Sequence, residues 1–153
     1  MAILDYLGPL LGRAHDAHRA LTASALEPLG LSPKGFGALT VLASEGSLAQ
    51  GELARRQGID RTTMVAVVDE LEGLGAVQRR RAERDRRAYA LELTPVGRQL
   101  LARARRDVVL VEDRFLAPLP PGERQRLREL LRRLVEAQDP GASSGASSSE
   151  RMR

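Results

Sequence analysis

Apolar positions recur at helical spacing through most of the chain, with one change of period near its middle. From Ile3 to Leu29, a stripe of Leu7, Leu10, Leu11, Ala14, Ala17, Leu21, Ala25 and Leu29 predicts an amphipathic helix. Gly8-Pro9 either interrupts it or forms a first turn, where proline is tolerated. After Gly30, Ser32-Pro33 offers a cap and a first-turn proline for a second helix. Its inner face is Phe36, Leu39, Thr40, Leu42 and Ala43, and Gly46 ends it. Ser47 to Glu52 opens a short third helix with Leu53 and Ala54 turned inward. Gly58 separates this from a fourth, in which Met64, Val67, Val68, Leu71 and Leu74 share a face between the cap Asp60 and the stop Gly75. A short helix, a glycine turn and a longer helix make a helix-turn-helix unit.

From Val77 to Leu93 the period drops to two. Tyr89, Leu91 and Leu93 alternate with Ala90 and Glu92, as in a half-buried strand, so the segment predicts strand, charged turn, strand. Thr94-Pro95 then starts a helix through Val96, Leu100, Leu101, Ala104, Val108, Val111 and Phe115, broken by Pro118, Pro120 and Pro121. A last helix, Glu123 to Gln138, places Leu127, Leu130, Leu131, Leu134 and Val135 on one face. Its other face mixes Arg124, Arg126, Arg128, Arg132 and Arg133 with Glu123, Glu129 and Glu136, the pattern of a solvated surface. Residues 139–153 are rich in Gly and Ser without apolar period, and are read as a disordered tail. The first and last helices must bury their stripes against each other or against a second chain.

Charge sharpens this picture. The hairpin tip, Arg79 to Arg87, carries six arginines against Glu83 and Asp85, a net of +4, which equals the net charge of the whole chain. A helix followed by a basic hairpin is suited to placing the helix in one groove of DNA and the hairpin on a phosphate ridge or in the minor groove. Lys34 is the sole lysine, and arginine's planar fork suits phosphate and narrow grooves. A solvated charge run is the plain alternative for the tip, and Arg61, Thr62 and Thr63, at the start of the fourth helix, either contact DNA or simply cap that helix.

With no cysteine, disulfides, thiolate nucleophiles and thiolate metal sites are excluded. The N-terminal apolar run is too short to span a bilayer and lacks a basic leader, so a soluble, cytoplasmic protein is expected. There is no nucleophile elbow, phosphate-binding glycine loop or metal-ligand set, and no enzyme activity or cofactor is expected. His15 and His18 share a helix face, but two imidazoles without thiolate or fixed carboxylate read as structural or solvent-facing rather than as a metal site.

Three runs, in order, resemble the MarR family of winged helix-turn-helix regulators. They are Gly51-Glu52-Leu53-Ala54; Val68-Asp69-Glu70-Leu71-Glu72 with Gly75 and Arg79; and Asp85-Arg86-Arg87 with Leu91-Glu92-Leu93-Thr94 and Gly97. The resemblance covers about Leu31 to Leu134. It implies a mainly α fold: a winged helix-turn-helix with a two-stranded β-hairpin wing, flanked by N- and C-terminal dimerisation helices. The expected organisation is one domain, 1–138, with a DNA-binding lobe at about 32–97, dimerisation helices at about 3–29 and 95–138, and the tail outside it.

The resemblance further implies a homodimer on double-stranded DNA at a palindromic operator, acting as a repressor and released by a small-molecule effector. Arg61, Thr62 and Thr63 fall at the start of the recognition helix, in the major groove. Val65 and Ala66 fall at groove-facing positions where many members carry threonine and arginine, so two polar readers are replaced by side chains suited to thymine methyls. Arg84, Arg86 and Arg87 fall on the wing, with Arg87 at the minor-groove arginine and Asp85 at the aspartate that holds the wing in shape. Tyr6, His15, His18 and Phe36 fall near the family's effector cleft. The alternative from another class is a winged helix used as a protein-interaction module without operator binding.

Overall fold

The computed structural model describes residues 6–81 and 89–138. The chain divides into two compact units, Met1–Phe115 and Leu116–Arg153. In the first, α1 (Leu7–Leu26) ends in a short 3-10 turn (Glu27–Leu29), followed by α2 (Pro33–Glu45), β1 (Leu48–Ala49), α3 (Gln50–Gln57), α4 (Arg61–Gly73), the strands β2 (Val77–Arg81) and β3 (Tyr89–Leu93), and α5 (Pro95–Phe115). The second contains α6 (Pro121–Gln138). The expected tail, 139–153, lies outside the described residues.

Local chemistry explains most boundaries. Pro9 sits in the first turn of α1, which runs without interruption. The Ser32 hydroxyl accepts the Gly35 N–H at 2.9 Å, with Pro33 opening α2. At the end of α4, Gly75 takes φ +65°, which lets the Ala76 N–H reach Leu71 O at 2.9 Å and its own N–H reach Glu72 O at 2.9 Å. This closes the last turn and satisfies two otherwise orphaned carbonyls.

Among the described residues the expected two-stranded hairpin, β2 and β3, is joined by a third antiparallel strand, giving the order β1-β3-β2. Leu48 and Ala49, read from the sequence as the start of the third helix, pair instead with Leu91 and Ala90. The free edge of β3 offers backbone groups that must be satisfied, and the segment between Gly46 and α3 is extended enough to meet them.

The first unit's core is aliphatic: Leu26, Leu39, Leu53, Met64, Val68, Leu71 and Leu91 are fully buried, from α1 through β3. Two inward assignments change. On α2, Ala38 faces inward and Ala43 is exposed; on α5, Val96 is exposed. The stripe on the first half of α1 is also open, with Leu7 63% and Leu10 46% exposed, while Thr22 and Leu26 meet the core.

Two contacts between elements set the frame for α4. Glu70, on its third turn, accepts the Ser32 N–H at 2.8 Å and so ties α4 to the start of α2. At the start of α5, the Thr94 N–H reaches Ala76 O at 3.0 Å, while the Thr94 hydroxyl donates to Gly75 O at 2.6 Å and accepts the Gly97 N–H at 3.0 Å. Helix α5 is thereby fastened to the turn joining α4 to the wing. Gly97 permits this approach: a Cβ there would overlap the Ala76 carbonyl.

In the second unit no α6 residue is buried; Leu130, Leu134 and Val135 are 40%, 50% and 67% exposed. Arg124 leaves the solvated arginine face expected for it. Its Nε donates to Leu119 O at 2.7 Å, holding the turn that precedes α6.

Candidate nucleic-acid interface

Helices α3 and α4 form the helix-turn-helix. Gly58, at φ +63°, lets the Ile59 N–H reach back to Ala54 O at 3.1 Å, which ends α3 and turns the chain within three residues. Helix α4 then starts on Asp60. Its carboxylate accepts the Thr63 N–H at 2.9 Å and the Thr63 hydroxyl at 2.6 Å. These bonds from Thr63 hold the Asp60 carboxyl below the usual carboxylate range. Met64, Val67, Val68 and Leu71 fix one face of α4 in the core. Each such burial contributes roughly 1.5–3 kcal/mol, so the orientation of the opposite face is set by packing.

That opposite face carries Thr62, Val65 (45% exposed) and Ala66, with Arg61 on its flank, all exposed. Thr63 is half-buried, and its hydroxyl donates to the Asp60 carboxylate, so it takes part in the cap of α4. Asp69, one turn beyond Val65, is exposed on the same face. Asp69 is absent from the groove-facing set expected from the sequence, although helical projection from Val65 finds it.

Helix α3 is braced by charge. Glu52 accepts from Arg55 Nη2 at 2.6 Å and Arg56 Nε at 2.9 Å, and Arg56 also meets Glu45 at 3.2 Å. The two guanidinium hydrogen bonds, Arg55 first, pull the Glu52 carboxyl down to about 2. Acid at the start of α3 and base at its end also suit the helix dipole.

The wing strands run in register from Val77↔Leu93 to Arg81↔Tyr89. Two arginines assigned to the basic tip are drawn into ion pairs. Arg79 Nε donates to both Glu72 oxygens at 3.1 and 3.2 Å, linking the wing to the end of α4, and Arg80 meets Glu92 across the strands at 3.2 Å. The hairpin's excess charge is therefore partly balanced by acids just outside the segment Arg79 to Arg87. Arg84, Asp85, Arg86 and Arg87 lie outside the described residues.

Of the residues assigned to an effector cleft, Tyr6 is 52% exposed ahead of α1 and His15 is exposed. The half-buried His18 ring meets Phe115 edge-on, with centroids 5.3 Å apart. Phe36 packs against the core from α2. Among the described residues, no group of three or more His, Cys, Asp or Glu could hold a metal ion. None of the described helices is long and apolar enough to cross a membrane.

A helix-turn-helix with its outer face exposed, followed by a paired, arginine-rich hairpin, defines the winged-helix class of nucleic-acid-binding folds. Residues 29–88 match the MarR family. The HTH-type transcriptional repressor Rv2887 of Mycobacterium tuberculosis is 34% identical over 128 residues, covering 84% of this chain and 92% of the repressor. The chain belongs to the MarR family of transcriptional regulators. A Thauera aromatica relative is 40% identical over 105 residues, and the match spans 63% of that protein's length. Among solved structures, Rv2887 in complex with DNA superimposes with a TM-score of 0.72 at 32% identity, covering 84% of this chain and 97% of that one. The repressor CouR of Rhodococcus jostii RHA1, bound to a 23-mer DNA duplex, superimposes with a TM-score of 0.80 at 34% identity, covering 87% and 94%.

Proposed function

We propose that the chain is a homodimeric transcriptional repressor that reads a palindromic operator and is released by a small-molecule effector. The observation that carries this is α4: its inner face is locked in the core, and its outer face presents Arg61, Thr62, Val65 and Ala66 to solvent. Each protomer lays α4 in the major groove and its β2–β3 hairpin on the flanking backbone, with Arg84, Arg86 and Arg87 contacting phosphates or the minor groove and Asp85 shaping the tip. The exposed leucines of α1, and those of α6, are surfaces that the second protomer covers. Rv2887 and CouR, both solved on DNA, support the reading. Rv2887 is also solved with salicylic acid and CouR with p-coumaroyl-CoA, so an aromatic acid or its thioester is the effector class, met by Tyr6, His15, His18 and Phe36. The protein is cytoplasmic and not an enzyme. Residues 1–138 act as one regulatory domain; truncation after Gln138 leaves melting temperature and operator affinity unchanged.

Selection of bound DNA from a random library tests the reading. The expected product is a palindrome with half-site centres about one helical turn, or a multiple of it, apart. Arg87→Ala weakens binding to cognate and unrelated DNA alike. It lowers the salt slope by about 0.9 for each phosphate no longer neutralised, doubled in a dimer. Arg61→Ala lowers cognate affinity more than non-specific affinity and relaxes one position per half-site, by roughly 1–3 kcal/mol. No enriched sequence, together with salt-insensitive binding to a protein partner, refutes the repressor and favours the interaction module.

A further inference from the structure

Between the first turns of α3 and α4 lies an open recess of about 340 Å³, lined by Gln50, Gly51, Ala54, Arg61, Met64 and Val65. Its shape follows from small side chains. Gly51 has no side chain, and nothing lies within 4 Å of where a Cβ would stand. Ala54 adds only a methyl, and the fully buried Met64 closes the floor. Val65, 45% exposed, forms one wall, on the edge of α4 next to Thr62 and Ala66. The recess is thus continuous with the face that the repressor reading puts against the major groove. The polar groups along it are the Arg61 guanidinium, which can only donate, and the Gln50 amide; no carboxylate lines it.

We propose that this recess is a thymine-reading site: it seats the C5 methyl of one thymine per half-site, against Val65, with Arg61 and Gln50 facing the acceptors around that methyl. The inference rests on the operator-binding reading above and adds which base the helix selects, and how. Thymine is the one base that projects a methyl into the major groove, and it carries the acceptor O4 beside it. Cytosine offers an amino donor and a bare ring edge at the same place, so it brings no methyl to the apolar lining and meets Arg61 donor to donor. Adenine and guanine present no methyl. An apolar recess beside the donor-only Arg61 therefore matches thymine's methyl and its O4, and the Gln50 amide, which both donates and accepts, can turn its donor to the same edge. The replacement of polar groove residues by Val65 and Ala66 then shifts reading from hydrogen bonds to methyl burial at this position.

Deoxyuridine differs from thymidine only by lacking this methyl, which makes it the probe. In the operator recovered by selection, each thymine is replaced singly, at both symmetry-related positions, and binding is measured with the full chain at fixed salt. One position is expected to weaken binding about fourfold per half-site, the equivalent of one buried methyl, and about fifteenfold for both. In V65A the wall is missing, so the deoxyuridine effect at that position shrinks to about twofold or less. In Gly51→Leu, whose Cβ has open space around it, the side chain occupies part of the recess, and affinity for the thymine operator falls while the melting temperature holds.

Tight operator binding with no deoxyuridine-sensitive thymine overturns this proposal and leaves the repressor reading standing. A deoxyuridine effect of equal size in V65A and in the unmodified protein also overturns it, because the methyl would then act through DNA stiffness rather than through this recess. Absence of any enriched DNA in the selection overturns both readings together.

Discussion

Substituting Gly97 by alanine tests whether α5 is fastened to the turn between α4 and the wing through the backbone of Ala76. A Cβ at this position would overlap the Ala76 carbonyl and crowd Leu93 Cδ1, and Ala76 is fully buried with no room to retreat. The start of α5 must lift away, which strains the Thr94 N–H bond to Ala76 O, 3.0 Å long. Overpacking of this kind costs about 1–3 kcal/mol, and a weakened buried hydrogen bond adds about 1 kcal/mol. Alanine's better helix propensity returns up to about 1 kcal/mol. The net destabilisation is about 2 kcal/mol, or about 4–8 °C in Tm for a chain of this length. Gly73→Ala is the matched control. It too lies in a helix, nothing stands within 4 Å of its Cβ, and it should stabilise by up to about 1 kcal/mol. Both variants are melted by far-UV circular dichroism at one protomer concentration, since a dimer's Tm depends on it. If Gly97→Ala melts at or above the unmodified protein, the close approach of α5 to Ala76 is not the constraint described here.

Three further outcomes follow from the helix-turn-helix and the wing. Because the Glu52 carboxyl is pulled down from 4.5 to about 2, its contribution to stability is complete above the ordinary carboxylate range and is lost as pH falls toward 2; Glu52→Gln should lower Tm at neutral pH and flatten the fall in Tm across that acid range. Asp60→Ala removes both bonds to Thr63 and should lower Tm and operator affinity together, while Asp60→Ser, which restores a capping acceptor, should recover most of the melting temperature. Glu72→Arg should cost about 0.5 kcal/mol by breaking the pair with Arg79, and the double swap with Arg79→Glu should recover it; urea titration of the single and double variants measures this, and strict additivity would show that the pair contributes nothing.

What the sequence determined by itself is local. Ser32-Pro33, Asp60, Gly58 and Gly75 act on backbone groups within about one turn of themselves, so the helix starts and the tight turns were legible residue by residue. Periodicity likewise identified the buried face of α4, and with it the exposed positions Val65 and Ala66, while Arg61 and Thr62 came from the family resemblance. Only the tertiary structure decided the contacts between segments distant in the chain. It paired Leu48-Ala49 with β3, a pairing too short to leave any pattern of its own. It drew Arg79 and Arg80 into pairs with Glu72 and Glu92, so a charge count along the hairpin overstated what is left for DNA. It brought Glu70 to the Ser32 N–H across 38 positions, and opened the recess between α3 and α4 out of a missing side chain at Gly51 and a small one at Ala54. The division has one physical reason. Caps and periods depend on dihedral angles and neighbours a few residues away, whereas pairings and cavities depend on which surfaces the folded chain places opposite one another.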